Sequence, residues 1–336
     1  MHDAPLSYPS ELKPLLDCST RWGCDRMLTQ CAGGNTSLKL DGWMWIKASG
    51  TWLADAGEHT IFVPVELQGA LDAINRGIDE KAVWRAPGGR SLRSSIETSL
   101  HAVIARPWVV HLHTVHSMFW ASIENAREQI AKLLGGLPWA WVEYARPGLP
   151  LTLELLRTYD DSVRIWVLGN HGLVVAGDDV DEVEEWLHQV ERRWQTLANA
   201  AAPDPGRLQS NCPGGYHPAK YADSHLCATL SGTEMDASAG MPAPDFAVFL
   251  GARLCPIAER RAYEIKHRHA PPVLLIQNAG TLVRDGVSEN GEQMLEAFGR
   301  ILARLNGRAL TYLPEDEVAA LLDWDAEKYR QSLIRT

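Results

Sequence analysis

Three histidines crowd the stretch "PWVVHLHTVHSMFWA" (residues 107–121): His111, His113 and His116. A neutral imidazole offers a lone pair to a metal or a proton, so placement decides what these groups can do. Residues two apart on a strand point to one face, and the apolar lead-in Val109-Val110 suits a buried strand. His111 and His113 would then project side by side from a strand end. That is part of a zinc site, which in catalytic form takes three protein ligands and keeps a position open. It is equally the pattern of two hydrogen-bonded histidines closing a sheet. His116 falls on the opposite face of this register and is expected to cap the next helix. A third imidazole stands in "LGNHGLVVAG", where His171 sits in a turn between two apolar runs. Gly169 and Gly172 let the chain bend sharply there and hold the side chain inward. An ordinary Asn-His-Gly turn would read the same way.

The elements that must carry these groups alternate along the chain. A helix is expected over residues 10–18 and beyond. "SLKL" and "WMWIKAS" alternate polar and apolar residues around Asp41-Gly42, a two-residue hairpin signal. The next helix is expected to begin near Pro64-Val65-Glu66, with Leu67, Leu71 and Ile74 on one stripe. "NRGIDEKAVWRAPGGRSLRSS" reads as a basic loop containing Arg85, Arg90 and Arg93. "SIETSLHAVIA" returns to helix with Ser95 as its cap, and the histidine strand follows. "RIWVLGNHGLVVAGDDVDEVEEWLHQVERRW" then gives strand, turn, strand and a long amphipathic helix. The breaker-rich residues 201–215 mark the expected boundary, dividing the chain into 1–205 and 206–336. Beyond it, Asn278-Ala279-Gly280 echoes Asn170-His171-Gly172, again between apolar runs and before an acidic helix. The echo is either a degenerate repeat or two ordinary strand–turn–helix units. With alanine at 279 the second copy cannot bind metal as the first could.

Length and composition set the frame. A chain of 336 residues, 46% apolar and 22% charged, is expected to be a soluble globular protein of two domains. A net charge of −10 without a basic run argues against nucleic acid, though not against a local pocket for phosphate. No apolar run is long enough to span a membrane. "MHDAPLSYPSELKPLL" lacks the basic-then-apolar order of a secretory signal, and the six cysteines form no CxxC pair. Reduced thiols and a cytoplasmic location are therefore expected.

Six motifs follow in order: "GGNTS" (33–37), "ASG" (48–50), "SSIETSLHA" (94–102), "HLHTVHS" (111–117), "VEYARPG" (142–148) and "LGNHGLVVAGDD" (168–179). Together they resemble the class II aldolase/adducin family, which includes fuculose- and rhamnulose-phosphate aldolases and ribulose-phosphate epimerases. The resemblance covers roughly residues 10–200. "SIETSLHA" and the C-terminal region are more similar to the aldolase part of rhamnulose-phosphate aldolase–dehydrogenase fusions than to the short enzymes. The resemblance implies an α/β fold, with three α/β/α layers around a central, mainly antiparallel sheet and a smaller C-terminal α/β extension.

It also implies roles. His111, His113 and His171 would hold Zn²⁺ or another divalent metal, and Glu97 would be the acid/base carboxylate. Asn35, Ser49, Gly50 and Ser95 match the loops that hold a substrate phosphate. The implied reaction is reversible carbon–carbon cleavage of a small hydroxyketone, a sugar phosphate in the family, by a homo-oligomer with a tetramer favoured. The residue types suit this chemistry, since neutral imidazoles leave zinc strongly Lewis acidic and hydroxyls with glycine amides make an anion nest. Epimerisation and decarboxylation are the alternatives on the same site. Adducins share the fold as binding modules without the metal histidines, whereas this chain keeps all three. Two departures stand out: Ile96 replaces the second serine of short-form aldolases, and no tyrosine matches the one some members donate across a subunit interface. His101, four residues after Glu97 and on its helix face, reads as a supporting residue.

Overall fold

Asp41 and Gly42 both take left-handed backbone (φ 50° and 81°), and Leu40 pairs directly with Trp43. This two-residue turn matches the twist of the strands it joins, β1 (Asn35–Leu40) and β2 (Trp43–Lys47). The computed structural model describes residues 8–78, 83–85, 91–199, 203–229 and 240–332. They divide into one unit of residues 1–117 and 127–194 and another of residues 118–126 and 195–336.

In the first unit, α1 (Lys13–Cys24) precedes the hairpin, and Ser10 lies in a short 3-10 turn ahead of it. The helix expected to begin near residues 64–66 starts at Leu67, with Glu66 as its N-cap residue. Pro64 and its neighbours form β3 (Phe62–Glu66), paired with β2, and α2 (Leu67–Asn75) begins only afterwards. As an edge strand β3 tolerates a residue with no N–H to give. The expected basic loop also contains a small ladder of β4 (Val83–Arg85) and β5 (Ser91–Arg93); Arg90 lies outside the described residues. There follow α3 (Thr98–Val103), β6 (Trp108–Leu112), α4 (Val115–Ala121), most of whose residues belong to the second unit's segment 118–126, and α5 (Ala126–Leu133). The unit closes with β7 (Trp139–Val142), α6 (Leu149–Arg157), β8 (Ile165–Leu168), β9 (Gly172–Gly177) and α7 (Val180–Trp194).

Seven strands make one sheet in the order β3-β2-β1-β6-β9-β8-β7, antiparallel except for the pair β7–β8. Leu100 of α3 and Leu151 and Leu155 of α6 pack with Val109, Val142, Trp166 and Val174 of the sheet. Each such fully buried side chain contributes roughly 1.5–3 kcal/mol, so this seam holds the helices to the strands that present the histidines. The long helix α7 buries Val183, Leu187, Val190 and Trp194 at helical spacing. The fold is thus an α/β layering on a central, mainly antiparallel sheet.

The second unit is a smaller α/β body. It contains α8 (Pro205–Ser210), β10 (Tyr216–Pro218), α9 (Leu226–Thr229), α10 (Pro244–Leu250), β11 (Cys255–Pro256) and α11 (Arg260–His267). After these come β12 (Val273–Ile276), β13 (Gly280–Arg284), α12 (Glu289–Leu302), α13 (Glu315–Asp323) and α14 (Asp325–Ser332). Its sheet runs β10-β13-β12-β11, and only β11–β12 is parallel. Tyr216, Tyr263, Leu274, Ile276 and Leu282 share its core. No described helix is long and apolar enough to cross a membrane.

Candidate metal centre

His111 is the penultimate residue of β6, and His113 lies just past the strand's end. His171 stands in the three-residue turn between Leu168 and Gly172, next to the left-handed Asn170 (φ 51°). Because β9 pairs with β6, the turn at its start is brought against the histidines at the end of β6. The three rings lie with centroids 4.7, 5.0 and 5.0 Å apart, and their ligating nitrogens fall within 4.8 Å of one another. All three are buried. His111 Nδ1 lies 3.0 Å from the Leu173 carbonyl, which can only accept, so Nδ1 carries the proton and the Nε2 lone pair faces the cluster. There it meets His113 Nε2 at 2.9 Å.

Two glycines permit this approach. A Cβ on Gly172 would come within 2.8 Å of the Leu112 carbonyl and 3.0 Å of the His113 ring. One on Gly34 (φ 66°) would meet the His111 carbonyl at 2.7 Å. The glycine-rich "GGNTS" turn therefore lies directly on the backbone that presents His111, with Asn35 opposite His111 in the β1–β6 register.

Glu97 joins the cluster from the N-terminal end of α3. Its Oε2 lies 3.3 Å from His111 Nε2 and its Oε1 lies 3.4 Å from His171 Nε2. Asn35 Nδ2 donates to Oε2 at 2.7 Å. Burial works against the charge of Glu97, but the fields of His111, His171 and His113 and the Asn35 hydrogen bond outweigh it and hold the carboxyl down at about 2. A buried carboxylate against three imidazole nitrogens is a donor set that suits a divalent cation. Tetrahedral zinc, with bonds of about 2.0–2.1 Å to nitrogen, sets ligands roughly 3.3 Å apart; here the imidazole nitrogens lie within 4.8 Å of one another, and the carboxylate oxygens 3.3 and 3.4 Å from two of them. The buried Glu97 Oε1 makes no hydrogen bond, leaving an acceptor beside the nitrogens. The residues present fit the ion.

The remaining candidates are placed by backbone bonds. Ser49 N donates to Arg93 O (2.9 Å), Ala48 bridges Ser94, and Ser95 N donates to Lys47 O (3.1 Å). The Ser49-Gly50 turn, with Gly50 left-handed (φ 77°), thus lies alongside Ser95. Ser95 does not cap α3 as expected. Its Oγ accepts from Glu97 N at 3.2 Å and so braces the carboxylate's own backbone. His101 donates to or accepts from Ser37 Oγ (2.7 Å); burial first, then His111, push its imidazole well below the ordinary range.

Sequence reasoning missed two further residues. Lys47 is buried, with Nζ donating to Ala32 O (3.0 Å) and Thr51 O (2.6 Å), so one ammonium ties the glycine turn to the Ser49-Gly50 turn. Strand alternation put Lys47 with Trp43 and Trp45, and only their neighbourhood in space shows its task. Glu191 of α7 holds His116 Nδ1 (2.7 Å) and takes the Thr114 hydroxyl (2.6 Å) on its other oxygen. His116 is therefore tied to a carboxylate 75 residues away, beyond any helix-capping role.

A protein of Bacillus subtilis described as the uncharacterized oxidoreductase YuxG is 29% identical over 187 residues, 51% of this chain and 27% of that protein. The chain thus spans about a quarter of that relative's length. The N-terminal class II aldolase domain of a conserved Thermoplasma acidophilum protein is 25% identical, covering 57% of this chain and 95% of that one (TM-score 0.47). The L-fuculose-1-phosphate aldolase of Thermus thermophilus is 17% identical, covering 55% and 93% (TM-score 0.37). The model of the class II aldolase and adducin N-terminal domain matches residues 15–197, more than half of the 336 residues. The span includes the hairpin, the Glu97 helix, both histidine strands and α7, and the chain belongs to the class II aldolase and adducin family.

Proposed function

We propose that this chain is a zinc-dependent aldolase that reversibly cleaves a small hydroxyketone, a sugar phosphate by class. One observation carries the reading: three buried imidazoles converge on a carboxylate whose second contact is the Asn35 amide. His111, His113 and His171 would hold a divalent ion, which would supply Lewis-acid stabilisation of the charge that develops when a bond next to a ketone breaks. Glu97, held ionised, takes or returns the proton in that step. Its rotation is limited by Asn35 on one oxygen and by the Ser95 hydroxyl on its backbone. Asn35, Ser49, Gly50 and Ser95 form the phosphate end of the site, where glycine and hydroxyl donors suit a dianion. The reading takes residues 1–205 as the catalytic domain and 206–336 as its extension, in a cytoplasmic homo-oligomer, a tetramer by family habit.

Metal analysis of protein purified without chelators, paired with an aldehyde-release screen over phosphorylated and plain hydroxyketones, tests this. The expected result is near-stoichiometric divalent metal and an aldehyde signal that chelation abolishes. Failure to take up zinc when it is supplied would sink the proposal. Epimer or carbon dioxide without aldehyde would transfer the site to epimerisation or decarboxylation.

A further inference from the structure

The second unit holds a cavity of about 290 Å³ whose walls include Arg284, His267, His269, Gly251, Gly286 and Ser288. Among the described residues no carboxylate lines it. Arg284 ends β13, and its guanidinium donates to the Ala270 carbonyl at 2.6 Å. Among the described residues it has no acidic partner, because the adjacent Asp285 is committed to His217. An adjoining cavity of about 250 Å³ shares His267, Ala252 and Leu322 with the first. Its cations differ in one respect: Arg253 pairs with Glu259 (2.8 Å) and Lys266 with Glu315 (2.6 Å). Their charge is already met.

The surroundings of Arg284 favour an anion. The loop from Gly286 leads into α12, a helix of 14 residues whose first amides open toward its N-terminus. Ser288 Oγ accepts from Gly291 N, which leaves its own proton to donate. The two glutamates of that first turn are engaged elsewhere, Glu289 with Lys220 and Tyr221, and Glu292 with His217 and the Lys220 amide. His269 also lines the cavity, with Nδ1 donating to the Ala270 carbonyl at 3.1 Å. Behind the wall, the buried Tyr263 hydroxyl has no hydrogen-bond partner, and it sits 3.3 Å from where a Cβ on Gly251 would be.

At the corresponding end of the first unit the same strand–loop–helix step is neutralised from within. Asp178, directly after β9, accepts from Arg106 Nη1 on both oxygens at 3.0 Å, and Glu182 in the first turn of α7 takes Arg164 at 3.1 Å. In the second unit Arg284 stands at the end of β13 and the nearby acids are engaged elsewhere. A charge left this way in a concave, carboxylate-free site calls for a ligand of opposite sign.

We propose that this cavity binds the oxyanion end of a small metabolite, a phosphate monoester or carboxylate, with Arg284 as its counter-charge. The site is built from second-unit residues alone and does not depend on the aldolase reading.

The test uses the intact chain and modification of arginine by phenylglyoxal, mapped by peptide mass spectrometry, with inorganic phosphate and acetate as probes. Phosphate is expected to slow modification of Arg284 selectively, leaving Arg253 unchanged. Protection by phosphate alone assigns a phosphorylated ligand, and protection by acetate assigns a carboxylate. In equilibrium dialysis Arg284→Gln should weaken the phosphate bound at this site about tenfold or more, with partial recovery in Arg284→Lys. Unchanged Arg284 reactivity under both probes overturns the proposal, as does equal protection of Arg253 and Arg284. The wild-type footprint stands even if Arg284→Gln fails to fold.

Discussion

The hairpin that carries His171 and the hairpin that carries Ala279 are built alike. Leu168 pairs with Gly172 and Ile276 with Gly280, each closing a three-residue turn. Asn170 (φ 51°) and Asn278 (φ 56°) hold the same left-handed conformation within them. The neighbouring strands match too, since β6-β9-β8-β7 and β10-β13-β12-β11 have their parallel pair at the same edge. Aligning Gly172 with Gly280 superposes Val174, the partner of His111, on Leu282, the partner of Pro218. His113 then corresponds to Lys220, and Glu97, at the start of α3, to Asp204, at the start of α8. Strand order and turn thus match between the two units, with Pro218, Lys220 and Ala279 at the positions of the three histidines. Even the glycine contact is diverted: a Cβ on Gly280 would meet His225 Nδ1 at 2.7 Å, and that nitrogen accepts from Thr281 N. Sheet order and turn geometry tolerate many side chains, whereas a metal centre needs every nitrogen.

The sharpest way to test that contrast is to remove one nitrogen. His113→Ala is expected to lose most bound metal and nearly all aldehyde release while keeping its circular dichroism, because the residue lies past the strand end; retained metal would break the assignment. Glu97→Gln is the next largest. Metal content should stay near wild type while turnover falls about 10²- to 10⁴-fold, mainly in kcat. Lost metal would make Glu97 a ligand, and unchanged turnover would remove it from the mechanism.

Gly172→Ala and Gly280→Ala form a matched pair. Both crowd a packed hairpin and should cost about 1–3 kcal/mol in denaturant melts. Only Gly172→Ala should also weaken metal binding, since only its Cβ reaches ligand rings; equal metal loss in both would erase the distinction.

A smaller effect lies in the second unit's pH response. The Asp285 contact, and then Glu292, raise the His217 pKa above its ordinary 6.5 despite some burial. The stability this adds is fully present below 6.5 and is lost as pH rises through the higher folded value. The stability gap between wild type and His217→Asn should therefore close toward alkaline pH; a gap that widens would reverse the sign. Ala279→His should do least. It should add no second metal per chain, because Pro218 and Lys220 occupy the other two positions.

What local chemistry dictates was legible in the residues. Asp41-Gly42 demanded its hairpin because few residues accept left-handed backbone, and the two-residue spacing of His111 and His113 set them on one side. His171 followed from glycines that let a turn close. The order of the strands' neighbours was not local. Pro64 looked like a helix start until pairing with Trp45 made it an edge strand. Lys47 has no local signal for its role: two carbonyls from separate turns draw its ammonium inside. The Asn35–Glu97 hydrogen bond joins residues 62 apart, and His116 reaches Glu191 across 75. The sequence alone determined which groups could bind a metal and which turns would expose them, since spacing and backbone freedom are written residue by residue. Only the tertiary structure decided that β6 and β9 lie side by side, and so that three imidazoles and one carboxylate meet, because pairing between distant strands depends on the burial of the whole sheet.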